Sequence, residues 1–296
     1  MASDPIHPAD SNKPSTPGPD PVQSPVALVT GASSGIGWET VLLLAKAGWT
    51  VYAASRSMAG RLEENPPDPS VAPRIQALTL DVLDETSCEA TVSTIISQAG
   101  HLDALIHCAG TGLAGSVEEI PLADAIWQYD NLLFGTIRML RAVLPHFRTQ
   151  SSGRIIVVTS VAATIPVPFQ SYYSSAKAAV HALALGLADE VHPFGIQVSI
   201  VAPGDTKTGF TRARRLVTHH HESPYAHRIA RSVRRMERDE QNGMPAIFIA
   251  RAIVRELGRN RQKLWVIPGL AYQLMSGLSA VLPLTLVRRI VRLLYA

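Results

Sequence analysis

The sequence predicts a doubly wound α/β fold built on one parallel sheet, and three observations carry that expectation. Near the start, a short apolar strand runs into a glycine-rich turn and then into a helical pattern. Further β-branched runs alternate with helical stretches along the chain. A tyrosine and a lysine four residues apart follow one of those runs, which puts chemistry at the carboxyl edge of a strand, where open α/β sheets bind their ligands.

Composition sets the limits. With 296 residues, 46% of them hydrophobic, the chain can bury one large core, so a single domain is expected. Cys88 and Cys108 give neither a disulfide framework nor metal-ligand spacing, which fits a reducing, cytoplasmic compartment. A net charge of +3 is too small to argue for nucleic acid. Residues 1–25 hold seven prolines among Ser, Asp and Asn and no apolar run, so they are read as a disordered tail without the pattern of a signal peptide. Residues 26–268 form the expected domain, and 269–296 a C-terminal amphipathic extension.

Val26-Ala27-Leu28-Val29 is the first strand, and Thr30 to Gly37 (T-G-A-S-S-G-I-G) is the turn that follows it. Gly31, Ser33, Ser34, Gly35, Ile36 and Gly37 would let the backbone approach a pyrophosphate, whose charge is stabilised by N–H groups at the start of the next helix. A second strand spans Thr50 to Ser55. Its end carries Arg56 where a carboxylate would accept a ribose 2′-hydroxyl, so a 2′-phosphate and NADP(H) are expected rather than NAD. No second basic residue stands in the glycine turn. Residues 58–73 carry four prolines and read as a loop with at most one helical turn. Ile75 to Leu80 alternates as a strand ending at Asp81-Val82, and a helix follows over Thr86 to Ala99. Asp81 is either a cofactor-side residue or the cap of that helix.

Leu105 to Gly110 is the fourth strand and its turn, with His107 and Cys108 read as packing residues. Ala123 to Arg148 is one long helix with Asn131 inside it, a residue of poor helical propensity that something beyond the helix should want. Ile155 to Val158 is a buried strand ending near Ser160. If the chain is helical from Ser171, Tyr173 and Lys177 lie one turn apart on one face. At about 4 Å and an effective dielectric near 20, the ammonium would favour phenolate by roughly 4 kcal/mol, or about three pKa units. Tyr173 would then titrate near neutrality, with Ser160 sharing its substrate oxygen. Alone, such a pair is an ordinary helix contact.

The helix beyond Lys177 is apolar almost all round, which points to a subunit interface as readily as to a core. Gln197 to Ala202 is the sixth strand, and Pro203, Gly204, Asp205, Thr206, Lys207 and Thr208 follow it. Residues 205–243 show no strand pattern; Arg228, Arg231, Arg235 and Arg238 fall opposite Ile229, Val233 and Met236, either as a basic docking surface or as the wet face of an amphipathic helix. His219-His220-His221 is assigned no metal, for want of a fourth ligand and fixed geometry. Leu264 to Ile267 is the seventh strand. Pro268 and Pro283 break the uncharged stretch around it below membrane-spanning length. Residues 283–296 group Arg288, Arg289 and Arg292 beside Leu286, Ile290 and Leu293, and either pack on the domain or a partner or lie in a membrane interface.

Taken together, these motifs resemble the short-chain dehydrogenase/reductase family and its Rossmann-type sheet. T-G-A-S-S-G-I-G matches the family's glycine turn, Ser160 stands thirteen residues before Tyr173, and only Tyr173, not Tyr172, has a lysine four residues on. The resemblance spans about 26–267 and implies hydride transfer between NADP(H) and a carbonyl or alcohol, with a bulky apolar or secondary-metabolite substrate such as a lipid, steroid or retinoid. It implies that Tyr173 is the acid/base, that Ser160 holds the substrate oxygen, and that Lys177 also binds the nicotinamide ribose. It further implies that Asn131 disturbs its helix to hold a relay water and that Asp81 lies by the adenine. Pro203, Gly204, Thr206 and Thr208 would meet the nicotinamide and phosphates, 205–243 would be the substrate lid, and subunits would pair as a homo-oligomer through the Tyr173 helix. The family's usual Asn-Asn-Ala-Gly is here His107-Cys108-Ala109-Gly110; Ala109 and Gly110 keep the backbone approach and both amides are lost. A cofactor-binding sensor without turnover and an NAD-dependent alcohol dehydrogenase are the other readings.

Overall fold

Val26 to Thr30 (β1) is apolar on both faces, so it must be covered on both, and it lies in the middle of the sheet. Beside it run Thr50–Ser55 (β2), Ile75–Thr79 (β3), Ala104–His107 (β4), Gly153–Val158 (β5), Ile196–Val201 (β6) and Trp265–Val266 (β7). All pairings are parallel and the order is β7-β6-β5-β4-β1-β2-β3. This computed structural model describes residues 24–216 and 223–295. Nearly all of the predicted tail, and the His219 to His221 run, lie outside the described residues.

Alternation along the strands builds two apolar layers. Leu28, Leu105, Ile155 and Val198 face helices α3 (Glu85–Ala99), α5 (Gly135–Gln150) and α6 (Ser171–Val191). Ala27, Val29, Ile106, Ile156 and Val201 face α1 (Gly35–Lys46) and α9 (Ala246–Leu257). The chain leaves β1 for β2 on one side, while β4 pairs with β1 on the other. A crevice therefore opens at the carboxyl ends of β1 and β4, where winding direction reverses.

Three local departures from the sequence reading follow from tertiary packing. Residues 58–64 form a helix, α2 (Met58–Glu64), because Met58 is fully buried in the layer under β2 and anchors the first turn; the prolines begin only after it. The long helix around Asn131 is two helices, α4 (Leu122–Tyr129) and α5, joined by a π turn over Asp130–Phe134. The cap of α3 is Asp84, whose carboxylate accepts from Thr86 N at 2.9 Å. Asp81 instead accepts from Leu83 N at 3.1 Å in the turn before it.

Beyond β6 come short helix α7 (Phe210–Ala213) and α8 (Ala226–Gln241), and beyond β7 come α10 (Leu270–Val281) and α11 (Leu284–Tyr295). Two-residue strand pairs, Thr206–Lys207 with Met244–Pro245 and Arg215–Leu216 with Leu113–Ala114, stitch the segment after β6 to the body. In α8, Ile229, Val233 and Met236 are buried and Arg228, Arg231 and Arg238 exposed, as periodicity predicts. Arg235 departs from that wet face: it is half-buried, bonded to Asp239 at 2.8 Å.

Candidate active site

The turn after β1 is shaped by space as much as by sequence. A β-carbon on Gly37 would lie 2.9 Å from the carbonyl carbon of Gly31 and overlap its oxygen, so only glycine lets α1 start this close to β1. Ser34 precedes α1 but gives it no side-chain cap, leaving first-turn amides for an anion. Gly31, Ser33, Ser34, Gly35, Ile36 and Gly37 line one cavity of about 360 Å³, together with Arg56, Asp81, Val82, Ala109, Gly110, Asn131 and Thr208. Within it the Ser55 hydroxyl and the Asn131 side-chain amide oxygen are buried without a protein partner. A basic residue the sequence hid also comes to this turn: Arg61, on α2, donates to the Ser33 carbonyl at 3.1 Å and lies over the Trp38 ring.

The floor between β1 and β4 is neutral. His107 is buried, its Nδ1 2.9 Å from the Thr30 hydroxyl, which itself accepts from Ala109 N at 3.3 Å. Burial pushes the His107 ring down to about 3, so it stays uncharged. Burial drives the Cys108 thiol up to about 12, too high for a nucleophile. Both residues pack.

The second cavity, also about 360 Å³, adjoins the first and shares Ile36, Cys108, Gly110, Thr208 and Phe210 with it. Ser160, Tyr173, Lys177, Pro203, Gly204 and Thr206 line it. Ser160 ends the segment after β5; its oxygen accepts from Ala162 N at 3.1 Å, and it lies near enough to the phenol of Tyr173 to lower that group's pKa. Tyr173 and Lys177 are one turn apart on the buried face of α6. Tyr172 points elsewhere, donating to the Val117 carbonyl at 3.2 Å.

Burial dominates the electrostatics of the Tyr173 and Lys177 pair. Burial pushes Tyr173 up to about 12; Ser160 and Arg214 oppose this, and Glu240 and Asp205 add to it. Burial, and not the Lys177 ammonium, is the largest influence on the phenol. That ammonium donates to the Val158 carbonyl at 2.9 Å, and burial lowers its own pKa to about 8. Desolvation of two neighbouring buried groups thus outweighs the Coulomb gain estimated from spacing alone.

Several lining residues carried no sequence signal. Phe210 tilts against the Tyr173 ring, 5.5 Å between centroids, and Arg214 beneath it pairs with Glu240. The C-terminal helices supply much of the apolar wall: Met275, Leu278 and Leu282 from α10 and its end, and Val287, Ile290, Val291 and Leu294 from α11. They are fastened by tyrosines. Tyr272 donates to Asp205 at 2.9 Å and its ring fills the space over Gly204, where any β-carbon would overlap it. Tyr295 donates to Asp239 at 3.0 Å, and Arg288 to the Pro166 carbonyl at 2.7 Å. Of the two readings of 283–296, packing on the domain therefore holds for one face of α11.

A family model described as short chain dehydrogenase matches residues 25–217. A 3-ketodihydrosphingosine reductase of Bacteroides thetaiotaomicron is 34% identical over 278 residues, 93% of this chain and 99% of its own length. The human 17-beta-hydroxysteroid dehydrogenase type 1 is 35% identical over 191 residues, 62% of this chain and 58% of its own. Among solved structures, a short-chain dehydrogenase from Streptomyces avermitilis superposes with a TM-score of 0.76 at 28% identity, covering 88% of this chain and 94% of that one.

Proposed function

This chain belongs to the short chain dehydrogenase family, and on that premise we propose that it is an NADP(H)-dependent oxidoreductase interconverting a ketone or aldehyde and an alcohol on a bulky, apolar, lipid-like substrate. One observation supports this above the rest: the Ser160–Tyr173 hydroxyl pair lies where the glycine-lined crevice meets a cavity walled by leucine, isoleucine, valine and methionine. The glycine turn, the uncapped start of α1 and the orphaned Ser55 hydroxyl fit a phosphate-bearing dinucleotide, with Gly31 to Gly37, Arg56, Asp81, Val82, Ala109, Gly110, Pro203, Gly204, Thr206 and Thr208 holding it. When bound, the nicotinamide supplies or accepts the hydride.

The residues of the chain handle the proton. Ser160 orients the substrate oxygen, and Tyr173, kept neutral by burial, donates to it in reduction. Lys177 keeps a second proton in the site, and Asn131, buried in its π turn with an unmet side-chain amide oxygen, would hold a relay water that links the lysine to solvent. Reduction needs the protonated lysine and oxidation the neutral one. Because burial brings Lys177 down to about 8, carbonyl reduction should be flat below that pH and fall above it, while alcohol oxidation rises toward the same midpoint and levels off. Initial rates across pH check this; a Lys177→Met variant whose residual rates keep the midpoint would remove Lys177 as its source.

Arg56 is exposed at the end of β2 with no ion pair among the described residues. Arg56→Asp should weaken NADPH binding by about ten- to a hundredfold, the worth of charge-assisted hydrogen bonds of about 1.5–3 kcal/mol. NADH binding should hold or improve, as fluorescence titration of both cofactors will read. Subunit pairing through the outer face of α6, where Ala182, Leu185 and Gly186 are exposed, belongs to the same reading and is checked by light scattering. The test of the whole is turnover: purified protein with NADPH should reduce long-chain ketones better than short ones. Binding of NADPH with no carbonyl turned over would favour a sensor.

A further inference from the structure

The C-terminal hairpin turns two faces to two different surroundings. Val287, Val291 and Tyr295 look into the cavity, while Leu270, Leu274, Val281, Leu284 and Leu293 are between 65% and 79% exposed. A single exposed leucine is ordinary; five such side chains on two successive helices form a patch that wants a cover. Between the two faces lie Met275, Leu278, Ile290 and Leu294, which are cavity wall and surface at once, 41% to 54% exposed. At these four residues the cavity is bounded by apolar side chains that also face outward.

Charge says what covers it. Residues 264–296 contain three arginines and no acidic residue. Arg289 and Arg292 are exposed on α11 with no acidic partner among the described residues, and α8, which packs on α11, exposes Arg228, Arg231 and Arg234. A second copy seated here would bring two sets of guanidinium groups together and seal the mouth. Anionic headgroups would neutralise them while acyl chains cover the leucines. No described helix is long and apolar enough to cross a membrane, so the hairpin would lie along the interface.

We propose that the outer face of α10 and α11 docks on an anionic lipid bilayer, and that substrate passes from the acyl region through the mouth between the helices into the cavity; the second clause rests on the lipid-like substrate reading above. The test is sedimentation of the full chain with vesicles of phosphatidylcholine alone and of phosphatidylcholine mixed with phosphatidylserine, alongside NADPH-dependent turnover of a short, water-soluble ketone. Binding should be at least about tenfold stronger to the mixed vesicles and weaken with salt. Leu274→Asp with Leu284→Asp, neither lining the cavity, should lower vesicle binding at least about tenfold and leave short-ketone turnover within about twofold. Arg289→Glu with Arg292→Glu should lose the preference for phosphatidylserine, and serves alone should the first pair unfold the protein. Turnover without sedimentation on either vesicle overturns the docking and leaves the enzyme reading standing. Sedimentation without ketone turnover keeps the docking and removes the loading step. A dimer that Leu274→Asp with Leu284→Asp splits, with no vesicle binding, assigns the face to a second copy and overturns the proposal.

Discussion

Tyr173→Phe should lower carbonyl reduction by about 10²–10⁴-fold, the usual contribution of a positioned general acid, while cofactor binding stays within about twofold. The change removes one oxygen and little else. The ring keeps its packing against Leu132, Ala176 and Phe210, so no cavity opens. The Ser160 oxygen still accepts from Ala162 N. Two other phenols line the cavity, yet neither replaces the lost one. Tyr272 is bonded to Asp205 and Tyr295 to Asp239, and burial, with the carboxylates beside them, drives both hydroxyls well above the usual tyrosine range. Single-turnover reduction beside a cofactor titration and a thermal melt separates the outcomes. A variant with more than about a tenth of wild-type turnover and unchanged folding would move the acid to another group.

How much of this site could be read before folding depends on how local each cause is. The glycine turn, the Ser160 to Tyr173 spacing and the Tyr173–Lys177 pair are local patterns, and the structure brings all of them to the joined cavities. Asn131 was marked by its poor propensity, and the π turn around it is the backbone form of that conflict. The phenol's acidity was not legible. Spacing gives the distance between Tyr173 and Lys177 on a helix, but the desolvation that dominates both groups comes from every element packed over them, including Phe210 and the α6 neighbours.

The substrate wall was hidden for a related reason. The expected lid, 205–243, does contribute Asp205, Phe210, Met236 and Glu240, but α10 and α11, read from sequence as an amphipathic extension, supply a larger apolar share than that lid. What ties them down is a set of single contacts across long sequence distances: Tyr272 to Asp205, Tyr295 to Asp239, Arg288 to the carbonyl of Pro166. None follows from periodicity. Arg61 escaped notice because the prolines after α2 obscured a helix whose anchor, Met58, declares itself only by burial.

Gly37→Ala should weaken dinucleotide binding by more than about a hundredfold and abolish turnover with it. A methyl group there overlaps the carbonyl oxygen of Gly31 and lies 2.9 Å from its carbon, and those are backbone atoms that cannot swing aside as a side chain would. Either the turn or α1 must shift. The start of α1 is pinned from its far side by Val41, Leu44 and Ala45, buried against β1, β2 and α9, so the turn is the part that yields. Overpacking of this kind costs about 3 kcal/mol, which is over a hundredfold in affinity if it falls on the bound geometry. The sheet itself should survive, because within the turn only Ala32, with Ile36 packed beside it, belongs to the two apolar layers. Cofactor titration by fluorescence and a thermal melt distinguish the cases: lost binding with a nearly native melt places the effect in the phosphate cradle. Retained binding would mean that the amides at the start of α1 do not hold the dinucleotide, and the crevice would need another ligand.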